Sequence, residues 1–166
     1  MSMTTLRQGA ALELWQGLVR EAAGQRGQAL DEPQEAYLVF VLLRYQREQG
    51  LLARTQALEW LHAQQQGGRL RADALRDVGD RCLLIAGLFP GLAQRRRVSA
   101  DYFIDLGRGA YAEVADCGRS ASAELFAQLA AGYTGLVATL RAMRARPELG
   151  TSEALSQGEG ASVSSM

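Results

Sequence analysis

The sequence contains no lysine and no asparagine, a single histidine (His62) and only two cysteines, Cys82 and Cys117. Each scarcity removes a chemistry. Without lysine there is no Schiff base, no P-loop lysine and no lysine general base. With one histidine, any Ser-His-Asp or Cys-His arrangement must run through His62. The cysteines stand far apart with no CxxC pair, and with His62 they offer three of the four ligands that a structural zinc site wants, so no metal is expected. Both cysteines fall on apolar helical faces, where a small buried thiol is expected; spacing alone leaves a disulfide open.

An excess of either charge is also missing. All eighteen basic residues are arginine, and eighteen acidic residues balance them to a net charge of zero. A duplex nucleic-acid binder ordinarily carries a basic excess, so no nucleic-acid partner is expected. Long apolar runs are absent: the longest, Ala36 to Leu43, is far short of the ~20 residues that span a bilayer, and no membrane association is expected. Met1 to Glu13 carries Arg7 but no apolar block of the kind found in signal peptides. A cytoplasmic protein is the resulting expectation.

What is present is a globular composition. The chain has 166 residues, 48% of them hydrophobic, and a domain near that length buries about 68–70% of its unfolded surface without a staple. The apolar pattern is helical almost throughout. Leu12, Trp15, Val19 and Ala22 predict a helix over about 9–25. Pro33 behind Asp31 and Glu32 marks the start of a second, closed by Gly50. Its run from Ala36 to Leu43 is apolar on all sides, which predicts a central position. A third helix is read over about 53–66. Leu75, Val78, Cys82, Ile85 and Phe89 define a fourth, stopped at Pro90-Gly91. After a basic loop, Arg95-Arg96-Arg97, Ser99 is placed to cap a fifth helix that runs to about Cys117.

The sixth carries two stripes. Phe126, Leu129, Tyr133, Leu136, Leu140 and Met143 form a bulky seam, and Ala123, Ala127, Ala131, Gly135, Ala138 and Ala142 a small one on the opposite side. Such a helix is expected to be sandwiched, with another helix of the chain or of a second subunit along the small stripe. Were Ala127, Ala131 and Gly135 open to water, that argument for association would fail. The expected architecture is all-α, a single-domain bundle of five to seven helices over 1–146 with no sheet, followed by a mobile Ser/Gly/Glu-rich tail over 147–166.

Four groups of polar residues invite a functional reading, each beside a plainer one. Glu59 and His62 form a Glu-x-x-His pair, but a di-iron bundle needs two such pairs, and a surface or packing histidine is the simpler account. Arg76–Asp80 and Asp77–Arg81 are spaced as i,i+4 ion pairs on a solvated face. Asp80 and Arg81 nevertheless adjoin Cys82 in the apolar seam, so at least one is expected to turn inward and need a partner. On the fifth helix, Asp101 and Asp105 are spaced to share a cation or a proton, although an Asp105–Arg108 pair is simpler. Gly107 and Gly109 cost about 1 kcal/mol each inside a helix, which signals close approach by another helix or by a ligand. Arg95-Arg96-Arg97 reads as a solvated loop, with a phosphate or acidic-partner contact behind it.

The words Gly79-Asp80, Gly87-Leu88-Phe89-Pro90, Asp101-Tyr102, Gly107 and Ala110-Tyr111 resemble a pattern found in a group of uncharacterised bacterial all-helical proteins. The resemblance covers residues 79–111 and implies that the join between the fourth and fifth helices is the distinctive part; it carries no activity across.

Two functional expectations result. The first is a non-enzymatic helical protein acting through protein contacts, as a homodimer joined along helix faces, with no catalytic residues and no cofactor. The second is a bundle binding an anionic small molecule between the fourth and fifth helices, lined by Asp80, Arg81, Asp101, Tyr102, Asp105, Arg108 and Tyr111. In it an arginine fork would grip the anion and the tyrosines would supply amphipathic walls.

Overall fold

The structure, a computed structural model, describes residues 3–27, 30–48, 55–117 and 121–145. Among these there are eight helices and no strand: α1 (Met3–Gln25), α2 (Glu32–Arg47), α3 (Gln56–Gln64), α4 (Gly68–Gly87), α5 (Pro90–Arg95), α6 (Ala100–Cys117), α7 (Ala121–Ala131) and α8 (Tyr133–Arg144). The all-α class is as expected, and the helix count exceeds five to seven for two local reasons. Pro90 ends the preceding run by forcing Phe89 out of helical geometry, and then occupies the first turn of α5, where its missing N–H costs nothing. The expected sixth helix is interrupted at Gly132 into α7 and α8. The expected start of the third helix at 53, the closing Gly50 and the tail over 147–166 lie outside the described residues.

The chain divides into two compact units, one drawn from 1–49 with 139–166 and the other from 50–138. In the first, α1 packs on α2. Asp31 caps α2 by accepting from the Gln34 N–H at 3.0 Å, with Glu32 and Glu35 in the first turn and Arg44 and Arg47 in the last, so both helix ends carry the complementary charge. Trp15 donates its indole N–H to Gln46 Oε1 at 3.0 Å, and Arg20 meets Glu35 at 2.7 Å. Thr139, fully buried, accepts from Arg26 Nη1 at 2.9 Å. Trp15, Val19 and Ala22 are buried as the periodicity predicts, but Leu12 is exposed. Nor is α2 buried all round: Leu38, Val39, Val41 and Leu42 face inward while Phe40 faces out, so one side of the apolar run meets water.

In the second unit α4 is the axis. Every residue from Val78 to Phe89 is buried, including the whole predicted seam of Leu75, Val78, Cys82, Ile85 and Phe89. Helices α3, α5 and α6 pack on α4, and α7 on α6. Ser99 Oγ accepts from the Tyr102 N–H at 3.2 Å, the expected cap on α6. Of the bulky seam, Phe126, Leu129, Tyr133 and Leu136 belong to this unit and Leu140 and Met143 to the first; all six are buried. The small stripe behaves otherwise: Ala127 and Ala131 are exposed and Gly135 is half-buried. With the helix turned at Gly132 and these alanines uncovered, the sandwich inferred from opposing stripes is not formed within the chain.

Candidate functional site

The residues singled out between positions 79 and 111 separate into a buried interlock and an exposed face. In the interlock, Gly79 receives the Tyr111 ring, which would overlap any Cβ placed there. Gly107 receives the Tyr133 hydroxyl, and a Cβ there would also stand 2.8 Å from Cys82 Cβ. Tyr133 then donates to the Gly79 carbonyl at 2.9 Å, and Tyr111 donates to Asp80 Oδ1 at 2.6 Å, both buried. That last distance is typical of O–H···O⁻ bonds. Tyr111 stacks edge-on against both Phe126 and Tyr133, with centroids 5.4 Å apart in each case. The glycines are thus sockets for tyrosine rings, which fulfils the close approach expected of Gly107; Gly109 has nothing within 4 Å and marks none.

The exposed face holds Asp101, Asp105 and Arg108. Arg108 pairs with Asp105 at 2.8 Å, both partners well exposed, an arrangement contributing a few tenths of a kcal/mol. Tyr102 lies apart, beside Phe103. The seven candidate ligand residues therefore do not converge: Asp80 and Tyr111 bind each other, Asp105 and Arg108 bind each other, and Asp101 is exposed. Arg81 is buried, 8% exposed, and makes no ion pair among the described residues; its Nε has no hydrogen-bond partner. The i,i+4 pairs expected on α4 give way to burial: Asp80 turns to Tyr111, and Arg76 meets its neighbour Asp77 at 3.6 Å.

Burial pushes the Cys82 thiol far above the ordinary cysteine range, opposed by the positive fields of Arg81 and Arg96. Cys117 is exposed rather than buried, because α6 turns that position to solvent in its final turn. Both thiols are free. His62 is exposed and lies 3.3 Å from Gln66 Nε2, the surface role expected of it.

Two features went unread in the sequence. The first is the inversion of α3. Its buried positions are Gln56 and Ala63, while Leu58 and Leu61 stand 65% and 53% exposed on its open side. The helix is clasped from its C-terminal end: Gln64 donates to Glu113 at 2.6 Å and accepts from Arg71 at 2.9 Å, tying α3 to α6 and α4. Leu70, in the first turn of α4, is 67% exposed. The second is an open groove of about 700 Å³ lined by Thr55, Gln56 and Ala57 at the start of α3, by Arg96, Arg97, Val98 and Ser99 after α5, and by Tyr102 and Phe103 of α6.

Compared with models of protein families, with curated proteins and with solved structures, the chain gives no match.

Proposed function

We propose that this chain is a helical protein that works by contact with a second copy of itself, and that α3 carries the contact. One observation bears the reading: Leu58 and Leu61 point away from the fold while a glutamine occupies the buried side. Leucines three residues apart share a helix face, and exposing them costs the transfer free energy of two large side chains, about 1.5–3 kcal/mol each, until something covers them. A two-fold contact is self-complementary, the same patch meeting itself. A leucine face with a net-neutral chain behind it suits that geometry, since no charge excess drives copies apart. Helix α3 has nine residues and is about 13 Å long. It covers less than the ~800 Å² per partner of a stable complex, so association on the order of micromolar is expected.

Sedimentation equilibrium from 5 to 200 μM tests this. A concentration-dependent dimer is expected, reduced to monomer by Leu58→Glu with Leu61→Glu and left intact by Ala127→Glu with Ala131→Glu. A wild-type monomer throughout, or a dimer broken only by the alanine substitutions, would overturn the assignment to α3.

A further inference from the structure

Helix α4 buries a charge that no described residue offsets. Arg81 sits in the unbroken covered stretch from Val78 to Phe89, with 8% of its surface exposed. Its Nε is fully enclosed without a hydrogen-bond partner, and among the described residues its guanidinium makes no hydrogen bond and no ion pair. Arginine keeps its charge across the whole range in which proteins fold, so the position cannot relax by releasing a proton. Enclosing an ion without a counter-charge is costly.

The carboxylates nearest along the helix are committed elsewhere. Asp77, one turn earlier, is spaced to pair with Arg81 but meets Arg76 at 3.6 Å. Asp80 turns to the Tyr111 hydroxyl at 2.6 Å. Leu83, Leu84 and Ile85, which follow, are apolar and fully buried. The field at the Cys82 thiol has the same imbalance: the charges acting on it are those of Arg81 and Arg96, both positive. Yet the head of Arg81 is not sealed. Its Nε is enclosed, whereas the two amino groups, unbonded as well, keep a share of the residue's remaining exposure. A surface arginine also lays its stem on apolar ground, but it leaves its head in water. Here one N–H is stranded and most of the head is dehydrated, which strengthens any charge-assisted bond made there.

We infer that Arg81 anchors an anion site, its amino groups taking a small oxyanion, a phosphate or carboxylate group, that reaches them from solvent and supplies the counter-charge. Two oxygens on one centre match the parallel N–H groups of the fork. The small exposed area suits a single group rather than a ring or a peptide. The site lies on α4 and does not depend on the leucine contact of α3.

Thermal unfolding of the full chain in phosphate, acetate and chloride at matched ionic strength tests this, with Arg81→Met as reference. Phosphate stabilises folded proteins generally by exclusion from their surface, so the difference between wild type and variant is the readout. Over a hundredfold rise in phosphate the wild type is expected to gain about 4 °C more than Arg81→Met, along a saturating curve. The corresponding gain in acetate ranks carboxylate against phosphate, and chloride is expected to act on both proteins alike. In anion-poor buffer the order reverses: Arg81→Met is expected to be the more stable, because an apolar chain replaces an uncompensated charge. Parallel responses of the two proteins to both oxyanions would overturn the inference. So would a wild type already the more stable in anion-poor buffer, since the charge would then be balanced within the fold. Should Arg81→Met fail to fold, isothermal titration of the wild type decides: one oxyanion per chain is expected, and no saturable heat with either phosphate or acetate up to about 20 mM would overturn the assignment.

Discussion

At the scale of single residues, the α4–α6 contact turns on which glycines have neighbours. Gly107 and Gly109 are two positions apart on one helix, and sequence assigns both the same propensity cost. The structure separates them. A methyl group at Gly107 meets the Tyr133 hydroxyl and Cys82, so Tyr133 must swing away and release its bond to the Gly79 carbonyl. Overpacking and a stranded buried acceptor together cost at least about 2 kcal/mol. Gly109 faces open space, and alanine there should stabilise by up to ~1 kcal/mol. Urea denaturation of Gly107→Ala and Gly109→Ala should therefore move the midpoint in opposite directions. Equal shifts of the same sign would mean that the interlock is not formed as described. Tyr111→Phe belongs to the same test: it strips Asp80 of its 2.6 Å donor and should cost about 1–3 kcal/mol.

Among elements, periodicity carried most of the legible information. The seam of α4, the start of α2 behind Asp31, the cap at Ser99 and the end of α6 near Cys117 follow from residue spacing. The misread elements share a cause: a local signal with two structural outcomes. Pro90 reads as a stop, yet the same missing N–H makes it a good first residue for α5. The two stripes read as one continuous helix, yet at Gly132 the helix turns. For the third helix no buried face was assigned, and Leu58 and Leu61 turn outward, because sequence cannot say which side of a short helix its neighbours occupy. Of the words at 79–111, Gly79, Asp80, Gly107 and Tyr111 fall in the buried interlock. The partners of Gly79 and Gly107, Tyr111 and Tyr133, are set by packing across helices and leave no trace in spacing. The arginine triplet was legible only as a loop; that its last member, Arg97 with φ +56, is the left-handed residue of a Schellman turn depends on the length of α5. That turn makes a prediction at this scale. Glycine at position 97 relieves a strain of about 1–2 kcal/mol, so Arg97→Gly should raise Tm by roughly 2–5 °C. An unchanged or lower Tm would show that the arginine side chain itself holds the turn.

For the whole molecule, the two thiols report different events. Cys117 is exposed and Cys82 is buried within the fully covered stretch of α4, with a thiol pushed far above its usual range by burial. A thiol reagent at pH 8 should modify one cysteine of the native protein within minutes. The second should react only at the rate at which α4 opens, since attack requires both access and thiolate. In a Cys117→Ser background, labelling should therefore slow with added stabilising osmolyte and reach completion in denaturant. The same burial sets a pH dependence. In the unfolded chain Cys82 ionises near its ordinary value, while in the fold it keeps its proton. From about pH 8 upward the native state thus binds more protons than the unfolded state, and stability falls as pH rises. The contribution is present below the unfolded value and lost above it, on the order of 1 kcal/mol between pH 8 and 9.5. With no lysine in the chain to titrate across that window, the slope belongs chiefly to Cys82. Stability measured across this range should decline for the wild type and for Cys117→Ser, and flatten for Cys82→Ala after allowance for its lower starting value. A slope that survives in Cys82→Ala would place the titrating group elsewhere and remove Cys82 from the protected core.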